Sequence, residues 1–250
     1  MFTIAERSAL RDRLIRHAEA DPMVAGAALV GSAARGAEDE WSDIDLVLQL
    51  AAGADERLVV EDWTSEVTDA GGGTADTLDV FADGVRYRVF LLRSSLQVDL
   101  SFWPYDEFRS SGEPFTLLFG DPAEASSPGG VDVDRVIGMG WLYAIHARSA
   151  VARGRLWQAA GMLDELRASL LTLKCARAGL EPFHGRQVDQ LPAAELDELH
   201  RSHPPAITRV DLDASRCQLT AALLHEIARH DEARADRLRV PFHDLVGPVV

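Results

Sequence analysis

The feature that most constrains this 250-residue chain is a change of pattern around residues 120–134. That segment holds Asp121-Pro122 and Ser126-Ser127-Pro128-Gly129-Gly130, which is turn and linker chemistry. Strand-like runs occur only before it. Thr3 and Glu6 have capping-box spacing, and Leu10, Leu14 and Ala18 recur on one helical face until Asp21-Pro22 stops the helix. Residues 25–30 predict a short buried strand, 31–36 a small-residue turn, and 44–50 a second apolar strand. Leu58, Val59, Trp63 and Val67 predict a helix over 55–69, broken by Gly71-Gly72-Gly73. Three β-branched and aromatic runs follow, 77–81, 85–92 and 96–103, with Asp83-Gly84 turning between the first two, so a meander is expected. After the linker only helices are expected: 136–153, 156–178 ending at Gly179, 193–200, and a long one capped by Asp213 with Leu219, Leu223 and Ile227 inward. The fold class is therefore α+β, with an N-terminal α/β domain over 1–125 that carries a mixed sheet. A C-terminal helical bundle is expected over 131–250.

Charge narrows the partners. The chain carries −15, and residues 1–125 hold 10 basic and 24 acidic side chains, a net −14. An acidic half repels a phosphate backbone, so nucleic acid is not an expected partner, while a cationic small molecule would be attracted. Excess charge for solubility is the plainer reading of the same numbers. The longest stretch without Asp, Glu, Lys or Arg, 22–34, is too short to span a membrane, so no membrane association is expected. The charged first 20 residues lack a secretory signal, and Cys175 and Cys217 lack framework spacing, so two buried thiols in a cytoplasmic monomer or homodimer are expected.

The segment that bears chemistry runs Gly31-Ser32-Ala33-Ala34-Arg35-Gly36, then Trp41-Ser42-Asp43-Ile44-Asp45-Leu46. Asp43 and Asp45 are two apart on an extended segment, so both carboxylates point to one face. Two like charges side by side destabilise each other, and a hard divalent cation such as Mg²⁺ removes that cost. Gly31 lets the backbone approach a ligand, Ser32 offers a hydroxyl, and the amides beyond can face phosphate oxygens. Arg35 could balance phosphate charge or be an exposed turn arginine. The pattern as a whole resembles the signature of the nucleotidyltransferase superfamily, which includes DNA polymerase β and the aminoglycoside nucleotidyltransferases. That resemblance implies a nucleotidyltransferase fold for the first domain, with Asp43 and Asp45 as catalytic metal ligands. Gly31, Ser32, Arg35 and Ser42 then lie on the nucleotide side. Two Mg²⁺ ions are implied, with an NTP, ATP first, as co-substrate.

The same resemblance implies a third carboxylate on a later strand. Asp99, in Gln97-Val98-Asp99-Leu100, fits, because Val98 and Leu100 bury one face and Asp99 projects from the other. Asp79, in Leu78-Asp79-Val80, competes for the role, and an edge-strand charge explains either acid without chemistry. Asp99 would accept the proton of the attacking hydroxyl. In the second domain, residues 154–175 look like the second-domain helix of small-molecule nucleotidyltransferases, whose members are expected to carry Glu where Ala160 stands. Asp164 and Glu165 are the nearby substitutes, and Lys174 or Arg167 could touch phosphate. A solvated helix face is the plainer reading of all four. His225 and His230 are five apart and diverge on a helix, so they do not form a zinc-protease pair. The expected reaction is transfer of a nucleoside monophosphate from an NTP to a hydroxyl of a small molecule, aminoglycoside-like, with release of pyrophosphate. A protein or RNA acceptor, or a non-catalytic nucleotide-binding module, stays open as the alternative.

Overall fold

The computed structural model describes residues 2–110, 114–126 and 129–249, so Ser127 and Pro128 of the expected linker lie outside the described residues. Two compact units result, Met1–Gly129 and Gly130–Val250.

In the first unit, helix α1 (Ile4–Ala20) starts at a complete capping box, with the Thr3 hydroxyl accepting from the Glu6 amide and the Glu6 carboxylate accepting from Thr3. Strand β1 (Val24–Leu29) follows, then a single helical turn α2 (Gly31–Ala34), strand β2 (Ile44–Leu50) and helix α3 (Glu56–Ala70). The chain closes with strands β3 (Thr74–Ala82), β4 (Val85–Leu92), β5 (Gln97–Trp103) and β6 (Thr116–Phe119). Among the described residues they form one sheet in the order β3-β4-β5-β2-β1-β6. Only β2 and β5 run parallel; β3-β4-β5 is the expected meander. Asp83 and Gly84 both have positive φ, the geometry of a two-residue hairpin turn.

Sheet alternation sorts the side chains. Ile44, Leu46 and Leu48 of β2 and Val98, Leu100 and Phe102 of β5 join Leu10, Leu14, Val59, Trp63 and Val67 of the helices in one core. The opposite face receives Asp45, Val47, Asp99 and Trp103, of which Val47 and Trp103 pack with Phe108 in a smaller cluster. Two expectations for this unit are corrected, and one strand was not expected. Residues 31–34 are helical rather than a plain turn. Strand β3 extends back to Thr74, since Gly73 with its φ of 109° ends the break. Strand β6 had no sequence signal, being only four residues long.

The second unit is helical: α4 (Val133–Ala152), α5 (Leu156–Ala178), α6 (Ala193–Arg201), α7 (Arg209–His230) and α8 (Glu232–Val246). Their core includes Ala144, Ala147, Leu166, Leu170, Leu219, Leu223, Ile227 and Phe242. One further expectation changes, and one helix was not expected. The helix thought to begin at Asp213 begins at Arg209, capped by Thr208, and Asp213 is buried inside it against Arg216 and the Val249 amide. Helix α8 was hidden by Pro241, which lies within it and normally ends a helix. Cys175 is buried as expected, but Cys217 is only partly so.

Gly179 ends α5 in the left-handed region, with φ 68° and open space around the position of a Cβ. Gly179→Ala is therefore expected to cost about 1 kcal/mol of unfolding free energy, by backbone strain alone. Chemical denaturation measures it, and an unchanged midpoint would contradict the strain.

Candidate active site

Antiparallel pairing of β1 and β2 sets Leu29 opposite Leu46, so the chain leaving β1 passes over Asp45. Val30 donates its amide to the Asp45 carbonyl at 3.3 Å. Gly31 then sits so close that a Cβ there would lie 2.0 Å from Asp45 Oδ2, and its φ is 64°. No side chain fits at that point, which is the physical reason for the glycine. Parallel pairing of β2 and β5 sets Asp45 directly opposite Asp99. Asp43, one residue before β2, completes the group: one carboxylate oxygen from each of Asp43, Asp45 and Asp99 lies within 4.8 Å of the others. All three are half-buried.

Burial first, and the Asp43 charge second, push the Asp99 carboxyl up to about 6, although hydrogen bonds from Gln97 pull the other way. Gln97 Nε2 donates to Asp99 Oδ1 at 3.0 Å and Oδ2 at 3.1 Å, and reaches Asp43 Oδ2 at 3.5 Å. Sequence reasoning missed this amide. Its signal was the spacing of two from Asp99, which places both side chains on one face of β5.

The raised value fixes a sign. Folding favours the neutral Asp99 carboxyl, so its contribution is fully present below pH 4 and is lost as pH rises through about 6. Asp99→Asn keeps the neutral shape. Without metal, the variant is expected to match the wild type near pH 4 and to exceed its stability by about 1–2 kcal/mol above pH 7, after allowance for solvent screening. Paired denaturation curves across that range test this, and a difference independent of pH would contradict the burial of a charge at Asp99.

The other expected residues divide. The Ser32 hydroxyl, beside Gly31, is buried and has no hydrogen-bond partner among the described residues. Arg35 is exposed. Ser42 is turned away into its own loop, where its hydroxyl accepts from the Asp39 amide at 2.9 Å and donates to Asp39 Oδ1 at 3.0 Å. Asp79 does not join the acids. It accepts from Arg88 Nε at 2.6 Å and Arg86 Nη1 at 2.5 Å, and the Arg88 hydrogen bond holds its carboxyl below the usual range.

In the helical unit, Glu165 is exposed, and Asp164, also exposed, accepts from Arg167 at 2.7 Å. Lys174 is 3% exposed and donates to Glu195 at 3.2 Å and Glu198 at 2.9 Å. Arg167 is also buried and donates to Ser202. The solvated-face reading is thus corrected for Lys174 and Arg167, both of which meet acceptors on or just after α6. A second group, His17, Asp21 and Asp62, brings its ligand atoms equally near. There, Asp21 already accepts from the Trp63 indole and the Met23 amide, and His17 lies against the Trp63 ring edge, so the group fastens α1 to α3.

Three carboxylates in this space suit a hard divalent cation, since oxygen donors match Mg²⁺ and the cation offsets their mutual repulsion. Residues 9–119 match the family model described as a nucleotidyltransferase domain. The N-terminal unit carries such a domain, and the helical region follows it. No curated protein matches the chain. Among solved structures, an aminoglycoside 6-adenyltransferase from Bacillus subtilis is similar at 13% identity, over 96% of this chain and 98% of that one, with a TM-score of 0.42. Likeness at that score carries no inference about activity. Among the described residues no helix is long and apolar enough to cross a membrane.

Proposed function

We propose, from the nucleotidyltransferase domain and its acids, that the protein transfers a nucleoside monophosphate from an NTP to a hydroxyl of a small molecule and releases pyrophosphate. The observation that carries this is the convergence of Asp43, Asp45 and Asp99 beneath the Gly31–Ser32 turn. Mg²⁺ would be held by Asp43, Asp45 and Asp99. When bound it offsets the charge that develops on the triphosphate as pyrophosphate leaves. Asp99 accepts the proton of the attacking hydroxyl. Gly31 lets the backbone lie against the Asp45 carboxylate, and the Ser32 hydroxyl supplies a donor that has no hydrogen-bond partner among the described residues. Asp164 and Glu165, exposed on α5, are the candidates for contact with the acceptor, and Arg35 for contact with phosphate. The burial and pairing of Lys174 weigh against its role in binding.

Charge supports one class of acceptor. The N-terminal half carries 10 basic and 24 acidic residues, which favours a basic compound such as an amino sugar and disfavours RNA. ATP is the first NTP to test. Incubation with labelled NTPs, Mg²⁺ and a panel of hydroxylated amino sugars should yield an acceptor heavier by one nucleotidyl group. Absence of any labelled product across the panel, with label on RNA or protein instead, would move the reading to a macromolecular acceptor.

Mg²⁺ and NTP together are expected to raise the melting temperature more than the sum of each alone. The acids form only part of a coordination shell, which phosphate oxygens would complete. Thermal shift measures it. Equal and additive shifts would argue against a shared site.

A further inference from the structure

We propose that Arg7 of α1 is a positioning residue for Asp43; the role in transfer rests on the nucleotidyltransferase reading above. The three acids are not held alike. Asp45 and Asp99 sit within paired strands, and the ladder between β2 and β5 fixes both backbones. Asp43 precedes β2, and the register between β2 and β5 begins only at Ile44 and Val98. Another device must set its backbone.

Arg7 supplies one. It is 2% exposed, an unusual place for a guanidinium, which is costly to bury unless its donors are taken up. Its Nη1 donates to the Ser42 carbonyl at 3.1 Å and also to the Asp39 carbonyl. The Ser42 carbonyl belongs to the peptide unit that leads into Asp43. The loop between these two acceptors is closed on itself. Trp41 donates its amide to Asp39 Oδ1 at 2.9 Å, and the Ser42 side chain bonds to Asp39 in both directions. One guanidinium therefore grips both ends of a rigid turn whose next residue is a catalytic acid. Glu38 Oε1 lies 3.6 Å from Arg7 Nη2, and Arg11 holds the other Glu38 oxygen at 2.5 Å, so the guanidinium is itself steadied from the loop's near side. A hydrocarbon of similar volume in place of a buried ion pair is often neutral or stabilising, so stability alone gives no reason for an arginine at this depth. An arginine aimed at two carbonyls fixes where a backbone goes.

The test uses the full chain and Mn²⁺ as a spectroscopic stand-in for Mg²⁺, bound without nucleotide. Arg7→Met is expected to weaken Mn²⁺ binding about tenfold or more. At temperatures where it remains folded it should lower kcat at fixed metal, with part of the loss recovered at high Mn²⁺. Arg7→Lys, which keeps a donor, should fall between Arg7→Met and the wild type. Because Arg7→Met could fail to fold, Glu38→Gln provides a milder release of the same guanidinium and is expected to weaken Mn²⁺ binding by a few fold. Variants that lose only melting temperature, with Mn²⁺ affinity and kcat at wild-type values, overturn the proposal. A wild-type chain that binds Mn²⁺ but transfers nothing would instead remove the transferase reading, while Mn²⁺ affinity still decides the role of Arg7.

Discussion

Asp45→Asn is expected to lower turnover a hundredfold or more, on the order of 3 kcal/mol of transition-state stabilisation, while the metal-free fold holds or gains stability. The neutral amide fits the same space but cannot supply an anionic oxygen to the cation. It also removes one of three mutually repelling carboxylates that lie within 4.8 Å of one another. Asp43→Asn should behave alike. Single-turnover transfer with saturating NTP and Mg²⁺, together with a melting curve in chelator, tests both halves. Near-normal turnover in either variant would sink the assignment of these acids to the metal.

Gly31→Ala is expected to reduce transfer as far as Asp45→Asn does, by a different route and with the opposite effect on stability. The added methyl would lie 2.0 Å from Asp45 Oδ2 and 2.9 Å from its carboxylate carbon, so the acid must swing out of place. The residue must also hold a φ of 64°, which costs an alanine about 1–2 kcal/mol. Turnover should therefore fall at least a hundredfold, and unfolding free energy should fall as well. The two variants separate chemistry from architecture. If Gly31→Ala turns over normally, then Asp45 is free to work from another rotamer, and the tight approach has no catalytic meaning.

The site was legible where it depends on strand alternation. Asp43, Asp45 and Asp99 could be placed because hydrophobic neighbours on either side fix which way an acid points, and the break after β1 announced Gly31. Ser42 entered through the resemblance and not through alternation. It belongs to the motif by position, yet its hydroxyl is committed to Asp39 within the turn. Features that depend on long-range partners left no local trace. Arg7 looks like any charged residue of a helix until the carbonyls of Asp39 and Ser42 are seen against it. Lys174 and Arg167 looked like a wet helix face because the helix pattern of α5 does not reveal that α6 brings glutamates and Ser202 to meet them. Strand β6 and helix α8 were lost to shortness and to Pro241, since tertiary packing can maintain elements that local propensity disfavours.

The single parallel pairing in the sheet also governs when the site comes into being. Antiparallel neighbours in β3-β4-β5 are joined by short turns and can zip up locally, whereas β2 and β5 can meet only after α3, β3 and β4 have been threaded between them. Asp43 and Gln97, which meet across that pairing, are 54 positions apart in sequence. Closing so long a loop is among the slow steps of folding, because its entropy is lost before its contacts form. Until that step is complete the chain has two acids on one strand and a third elsewhere, which is no chelate. An ion that needs all three therefore binds only chains whose sheet is finished. By mass action such an ion would add stability to every variant that keeps the three acids in place, whatever weakened its fold, and would add little to a variant that lacks one of them.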